Sequence, residues 1–238
     1  MAREQLTSAG YSWNGFPDRP ELAAALAGRV AGQLTKAIAE RGTALLAVSG
    51  GTTPAKFFAA LSALPIGWDK VTVTLVDERF VPASSPRSNA GLVGANLLQN
   101  AAAAARFVPL YHEAVSIEDA ATADNSALRS LAWPLDAVVL GMGGDGHTAS
   151  FFPDADDLAK LLDPSSERIV LPVHAASAGE PRLTLSLARI IDARFVALHI
   201  EGEDKRTAFE SAMGPGAQKP IRAVFDASPR PVEVFWAP

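Results

Sequence analysis

The chain has no cysteine, and this one absence removes disulfides, thiolate nucleophiles and zinc–thiolate sites from consideration. Histidine is scarce as well. His112, His147, His174 and His199 are scattered, with no metal-ligand spacing such as His-Glu-x-x-His. No Gly-Lys-Ser/Thr element occurs, so there is no nucleotide P-loop. Basic charge is in deficit: 21 Lys and Arg face 26 Asp and Glu, for a formal net charge of −5. That balance disfavours a nucleic-acid partner, which wants a basic face. The opening Met-Ala-Arg-Glu-Gln-Leu carries no apolar signal-peptide core, and no stretch approaches membrane-spanning length. The expectation is a cytoplasmic protein, a monomer or small homo-oligomer, with no membrane association and no protein-held metal.

What is present suits a globular chain. Hydrophobic residues make up 48% and charged residues 20%, enough for a sizeable core. Asp18-Arg-Pro-Glu21 has the form of an N-cap with a glutamate three residues on, and opens an alanine-rich helix stopped by Gly42. A strand at 43–48, a turn at 49–54 and a helix from Pro54 follow, then a strand at 71–76 and a loop at 82–88. A helix is expected from Asn89 through the alanine run at 101–105, and another from Ser116, its cap, to Leu131. Further strands are expected at 137–140, 168–173, 183–187, 195–200 and 232–236, with helices at 156–162 and 203–213. Strands alternating with helices predict an α/β, Rossmann-like fold: one domain over 1–238, a mainly parallel sheet with helices on both faces, and a small extra lobe after residue 150.

The segment 136–153 carries the strongest signal. A buried strand runs into a turn with four glycines, Gly141, Gly143, Gly144 and Gly146, whose backbone can take positive φ and pass close to a ligand. Asp145 and His147 sit two residues apart there, and histidine is the side chain suited to general-base work near neutrality. Gly141-x-Gly143-x-x-Gly146 also matches the dinucleotide fingerprint. That fingerprint must open a substantial helix and be followed by an acid ending the next strand. Pro153 cuts any helix short, and Asp163 follows a helical stretch, so the nucleotide-binding reading is disfavoured.

Ser49-Gly50-Gly51-Thr52-Thr53-Pro54 follows a strand and precedes a helix, a setting for anion binding by backbone N–H groups and hydroxyls. Read alone, it is equally a plain turn in which Thr53 caps the helix. Asp77-Glu78-Arg79 ends the next strand, so alternation puts Asp77 and Arg79 on one side and Glu78 on the other. Arg79 can clamp a phosphate or carboxylate, although an isolated charged triplet is more often a solvated loop. Three such loops at one edge of a parallel sheet mean more than any one of them.

Together, Ser-Gly-Gly-Thr-Thr-Pro (49–54), Asp-Glu-Arg-Phe-Val-Pro with Ser88-Asn89 (77–89), and Gly-Met-Gly-Gly-Asp-Gly-His-Thr-Ala-Ser-Phe-Phe-Pro (141–153) resemble the 6-phosphogluconolactonase family. Pro181-Arg-Leu-Thr-Leu-Ser186 and Gly202-x-x-Lys205 continue the pattern in order, with Phe151 in place of a leucine and Gly144 in a variable slot. The resemblance implies hydrolysis of a sugar-phosphate lactone, 6-phospho-D-glucono-1,5-lactone, with no metal or organic cofactor. It further implies His147 as the base, Asp145 orienting it, and Arg79 on the substrate. Ser49, Gly50, Gly51, Thr52 and Thr53, with Asp77, Arg182 and Lys205, would hold substrate and phosphate. Read without the family, Arg182 is an edge cation on a strand, and Lys205 sits unfavourably in a helix's first turn unless an anion compensates it. His112, His174 and His199 read as structural or exposed.

Two rivals stand beside this reading. The related glucosamine-6-phosphate deaminases carry an asparagine and a glutamate around the Gly-His turn, which Asp145-Gly-His147-Thr-Ala-Ser-Phe-Phe lacks. A non-catalytic sugar-phosphate sensor would keep the phosphate turn and Lys205 but would not need the Asp145/His147 pair.

Overall fold

A computed structural model of the chain describes residues 4–8 and 10–238. Asp18 caps the first long helix, its carboxylate accepting from the Glu21 N–H at 2.8 Å, and Gly42 closes that helix in a left-handed conformation. In chain order the first half runs β1 (Glu4–Ser8), β2 (Tyr11–Gly15), α1 (Arg19–Arg41), β3 (Ala44–Val48), α2 (Ala55–Ser62), β4 (Val71–Leu75), β5 (Asp77–Arg79), α3 (Asn89–Asn96), β6 (Arg106–Val108), α4 (Ile117–Ala127) and β7 (Ala137–Leu140). The second half runs α5 (Leu158–Leu161), β8 (Val170–Val173), β9 (Arg182–Leu185), α6 (Leu187–Ile191), β10 (Val196–Glu201), α7 (Glu203–Met213), α8 (Pro220–Ala227) and β11 (Val232–Ala237).

The main sheet has the order β1-β2-β11-β10-β7-β3-β4-β6. Only β1 is antiparallel to its neighbour. All five residues of β3 and all four of β7 are buried, as expected for central strands covered on both faces. Right-handed crossovers then assign the layers. The chain moves one way through β2, β3, β4 and β6, which puts α1, α2 and α3 on one face; α1 touches α2, and α2 touches α3. It moves back through β7, β10 and β11, which puts the later helices on the other, where α8 touches α6 and α7. The direction reverses between β3 and β7, and there a crevice opens at the strands' carboxyl ends. Among the described residues no helix is long and apolar enough to cross a membrane.

The extra lobe expected after residue 150 is a second sheet of order β5-β9-β8, antiparallel throughout, which draws β5 from earlier in the chain. One of its strands, β5, directly follows β4, so the small sheet is rooted in the large one.

Several expected elements are shorter or broken. The helix from Asn89 stops at Asn96 instead of running through the alanines. Asn100 takes φ 50 with its amide on the Ser62 hydroxyl at 3.0 Å, and Asn100–Ala104 forms a tight 3-10 turn. Alanine's helix propensity is a fraction of a kcal/mol per residue and yields to such a tertiary contact. The helix from Ser116 likewise ends at Ala127, with a 3-10 turn over Leu128–Ser130. The strand expected to reach Leu187 ends at Leu185, because Ser186 caps α6. Strands β1, β2 and β6 and helices α6 and α8 have no counterpart in the sequence reading, and Asp77–Arg79, read there as the end of the preceding strand, is a separate strand of the small sheet.

Candidate active site

The turn after β7 is built around a carboxylate–imidazole pair. Asp145 Oδ1 lies 2.6 Å from His147 Nδ1 and also accepts from the His147 backbone N–H at 3.1 Å. Nδ1 is thereby committed to Asp145, and Nε2 is the nitrogen left for the cleft. Burial works to raise the Asp145 carboxyl, but the His147 N–H and the imidazole outweigh it and hold the group below the usual range. Thr148 Oγ1 bonds the Gly141 carbonyl at 2.8 Å and the Gly143 N–H bonds the His147 carbonyl at 2.9 Å, which closes the turn. Of the four glycines only Gly146 has positive φ. Gly143 is required for another reason: a Cβ there would overlap the His147 ring and the Asp145 carboxylate. No long helix follows, since tight turns from Thr148 to Ala155 occupy its place, so the dinucleotide geometry is absent.

Next to it, in the turn after β3, Gly51 takes φ 96 with open space around it, whereas Gly50 lies against a neighbour. Ser49 Oγ accepts from the Gly141 N–H at 3.3 Å and ties the two turns together. Asn89, whose amide donates to the Asp77 carbonyl at 2.8 Å, occupies the space a Cβ on Gly50 would need. Thr53 does not cap α2; its N-cap is Pro54, with no side-chain hydrogen bond.

The charged triplet divides as alternation requires. Glu78 is fully buried and turned away, accepting from the Ser88 hydroxyl and from the N–H groups of Arg79, Asn89 and Ala90 at 2.7–3.0 Å. Burial pushes its carboxyl up despite those donors, and its work is to anchor the start of α3. Asp77, on the other side, takes the Ser150 hydroxyl at 2.5 Å.

Arg79 stands directly across the β5–β9 ladder from Arg182. Like charges in that relation repel, and the Nε of each guanidinium is buried without a partner. Burial pulls Arg182 below its usual pKa; Asp77 opposes that and Arg79 adds to it. Phe152 lies between the two halves of the site, its ring 4.5 Å from the His147 ring and 5.5 Å from the Arg182 guanidinium.

These groups open onto one cleft of about 230 Å³. Its lining includes Ser49, Gly50, Gly51, Thr52, Thr53, Asp77, Arg79, His147, Arg182 and Lys205, the last in the first turn of α7. Asp145 stands behind His147, outside the lining. Sequence reasoning missed the support of Phe152 and the wedge of Asn89. It also passed over His199, which is buried, lines the cleft and lies 3.2 Å from Glu201. Only the Ser88-Asn89 dipeptide offered a signal.

The family model for glucosamine-6-phosphate isomerases/6-phosphogluconolactonase matches residues 17–236. A 6-phosphogluconolactonase of Mesorhizobium japonicum is 83% identical over 238 residues, covering 100% of both chains. A crystal structure of a 6-phosphogluconolactonase from Shewanella baltica superposes with TM-score 0.89 at 38% identity, covering 95% of this chain and 97% of that one. A monomeric glucosamine-6-phosphate deaminase shares the fold, with TM-score 0.75 at 17% identity over 94% of this chain and 96% of its own.

Proposed function

The chain belongs to the glucosamine-6-phosphate isomerase/6-phosphogluconolactonase family, and from that premise we propose that it is a 6-phosphogluconolactonase in which residues 1–238 serve as one catalytic domain. It hydrolyses 6-phospho-D-glucono-1,5-lactone to 6-phosphogluconate, a step of the oxidative pentose phosphate pathway. The observation that carries the mechanism is the Asp145–His147 pair at 2.6 Å, beside a cleft lined by two arginines whose Nε atoms have no hydrogen-bond partner.

Asp145 accepts a hydrogen bond from Nδ1–H, which leaves Nε2 as the base. His147 takes a proton from water as its oxygen bonds to C1 of the lactone. Negative charge grows on the carbonyl oxygen, and Arg79 stabilises it. As the carbonyl re-forms, the bond from C1 to the ring oxygen breaks, and the imidazolium returns its proton to that oxygen. The lactone is an activated ester, so this sequence needs no covalent nucleophile. The 49–53 turn, Arg182 and Lys205 hold the phosphate, and Asp77, fixed by Ser150, faces the sugar. An anion at the start of α7 also offsets the unfavourable position of Lys205.

The test is the loss of freshly generated lactone against its spontaneous hydrolysis. The native chain should accelerate it, and His147→Ala should lose about 10²–10⁴-fold in turnover while binding is retained. Acceleration that survives the substitution would discard the mechanism and keep the function. A folded chain that gives no acceleration, with ammonia released from glucosamine 6-phosphate or with sugar-phosphate binding alone, would move the deaminase or sensor reading to the front.

A further inference from the structure

Two loops distant in sequence are tied by charge at the lip of the cleft. Arg87, at the end of the segment between β5 and α3, gives its guanidinium to Glu180 Oε2, just ahead of β9. The other carboxylate oxygen of Glu180 lies 3.9 Å from Arg182 Nη2. On the opposite side, the main-chain carbonyl of Arg87 accepts from Arg79 Nη1. A circuit results. It runs from Arg79 to the Arg87 carbonyl, from the Arg87 guanidinium to Glu180, from Glu180 to Arg182, and back across the β5–β9 ladder to Arg79.

This circuit addresses a physical problem. Two guanidinium groups facing each other in an antiparallel pair repel, and flexible arginine stems let them swing apart unless something holds them. Arg182 is also held at its Nη2 by the Ala178 carbonyl at 2.8 Å, while Arg79 leans on the Arg87 carbonyl. The placement of that carbonyl depends in turn on where the Arg87 side chain is anchored.

We propose that Arg87 and Glu180 form a latch that positions Arg79 for the developing oxyanion and Arg182 for the phosphate of the substrate. The inference rests on the lactonase reading above. Both are positioning residues, acting through the two cleft arginines. A bulk structural role fits poorly, because the Arg87 side chain is 62% exposed although Glu180 is only 14% exposed, and an ion pair open to solvent on one side adds little stability.

Steady-state lactone hydrolysis and thermal denaturation of Arg87→Ala, Glu180→Gln and their double variant test this, with Arg182→Ala as reference. Each single variant should raise KM about tenfold through Arg182 and lower kcat by roughly as much through Arg79, and the double should be no worse than either, since one link is broken in all three. Arg87→Lys and Glu180→Asp should recover part of the loss, and the melting temperature should stay within a few degrees. Unchanged KM in both single variants, with Arg182→Ala impaired, overturns the latch and leaves the lactonase reading intact. Additive losses in the double variant also overturn it. A lower melting temperature with unchanged KM reduces the pair to a structural contact. If the native chain fails to hydrolyse the lactone, the reading falls and takes the latch with it.

Discussion

A methyl group at position 143 has no room, because it would overlap Nδ1 and Cε1 of His147 and Oδ1 of Asp145. The pair lies against the backbone, so its spacing depends on one missing side chain. Gly143→Ala should fold, since the atoms in the way belong to side chains that can move, yet the pair must then leave its position. We expect a loss in kcat of about 10²-fold or more, close to that of removing the base, with a nearly unchanged melting temperature. Turnover within about twofold of native would mean that the pair's position is not critical. Gly50 follows the same logic against the Asn89 amide. Both glycines were visible in the sequence, but the reason for them was not. A Gly-rich turn suggests positive φ, and only the folded chain reveals that close approach is the constraint.

Helix α4 and strand β8 are joined by one side chain. Asn125 Oδ1 accepts from the N–H groups of Ile169 at 2.6 Å and Val170 at 3.3 Å, and Nδ2 donates to the Val170 carbonyl at 2.7 Å. Since β8 is an edge strand of the small sheet, these bonds occupy groups that would otherwise lack a ladder partner. Asn125→Ala strands them, and should cost about 1–3 kcal/mol in urea unfolding. Because the small sheet carries Arg182, substrate binding should weaken as well. An unchanged unfolding midpoint would show that water replaces the bonds freely. The caps at Asp18 and Ser116 were legible because a cap is a local pattern of three or four residues. The Asn125 bridge was not, because nothing in 121–128 announces a strand 45 residues on.

At the scale of the whole molecule, one buried acid contributes a slope of stability with pH. The Asp124 carboxylate is 4% exposed, lies 3.4 Å from His112 Nδ1 and has one oxygen without a partner. Burial pushes its pKa from 3.8 up to about 7. The folded chain therefore holds this proton more tightly than the unfolded chain does. The stability it contributes is present below 3.8 and is lost as pH rises through about 7. Asp124→Asn should flatten that decline and raise the melting temperature more near pH 8 than near pH 5. Thermal scans of both proteins at the two pH values check it, and equal slopes would show that the carboxyl is not protonated in the folded chain.

What the sequence determined by itself was the chemistry and the edge on which it sits. A turn that follows a buried strand must emerge at that strand's carboxyl end, so the groups around Ser49, Asp77 and His147 were bound to share one side of a parallel sheet. Hydrophobic runs, caps and glycines act over a few residues and can be read from them. Tertiary structure alone decided the rest: the reversal between β3 and β7, the antiparallel pairing that puts Arg182 opposite Arg79, and the meeting of Arg87 with Glu180. Register between segments so far apart in sequence is settled by how the entire core packs, and no window of sequence contains that information.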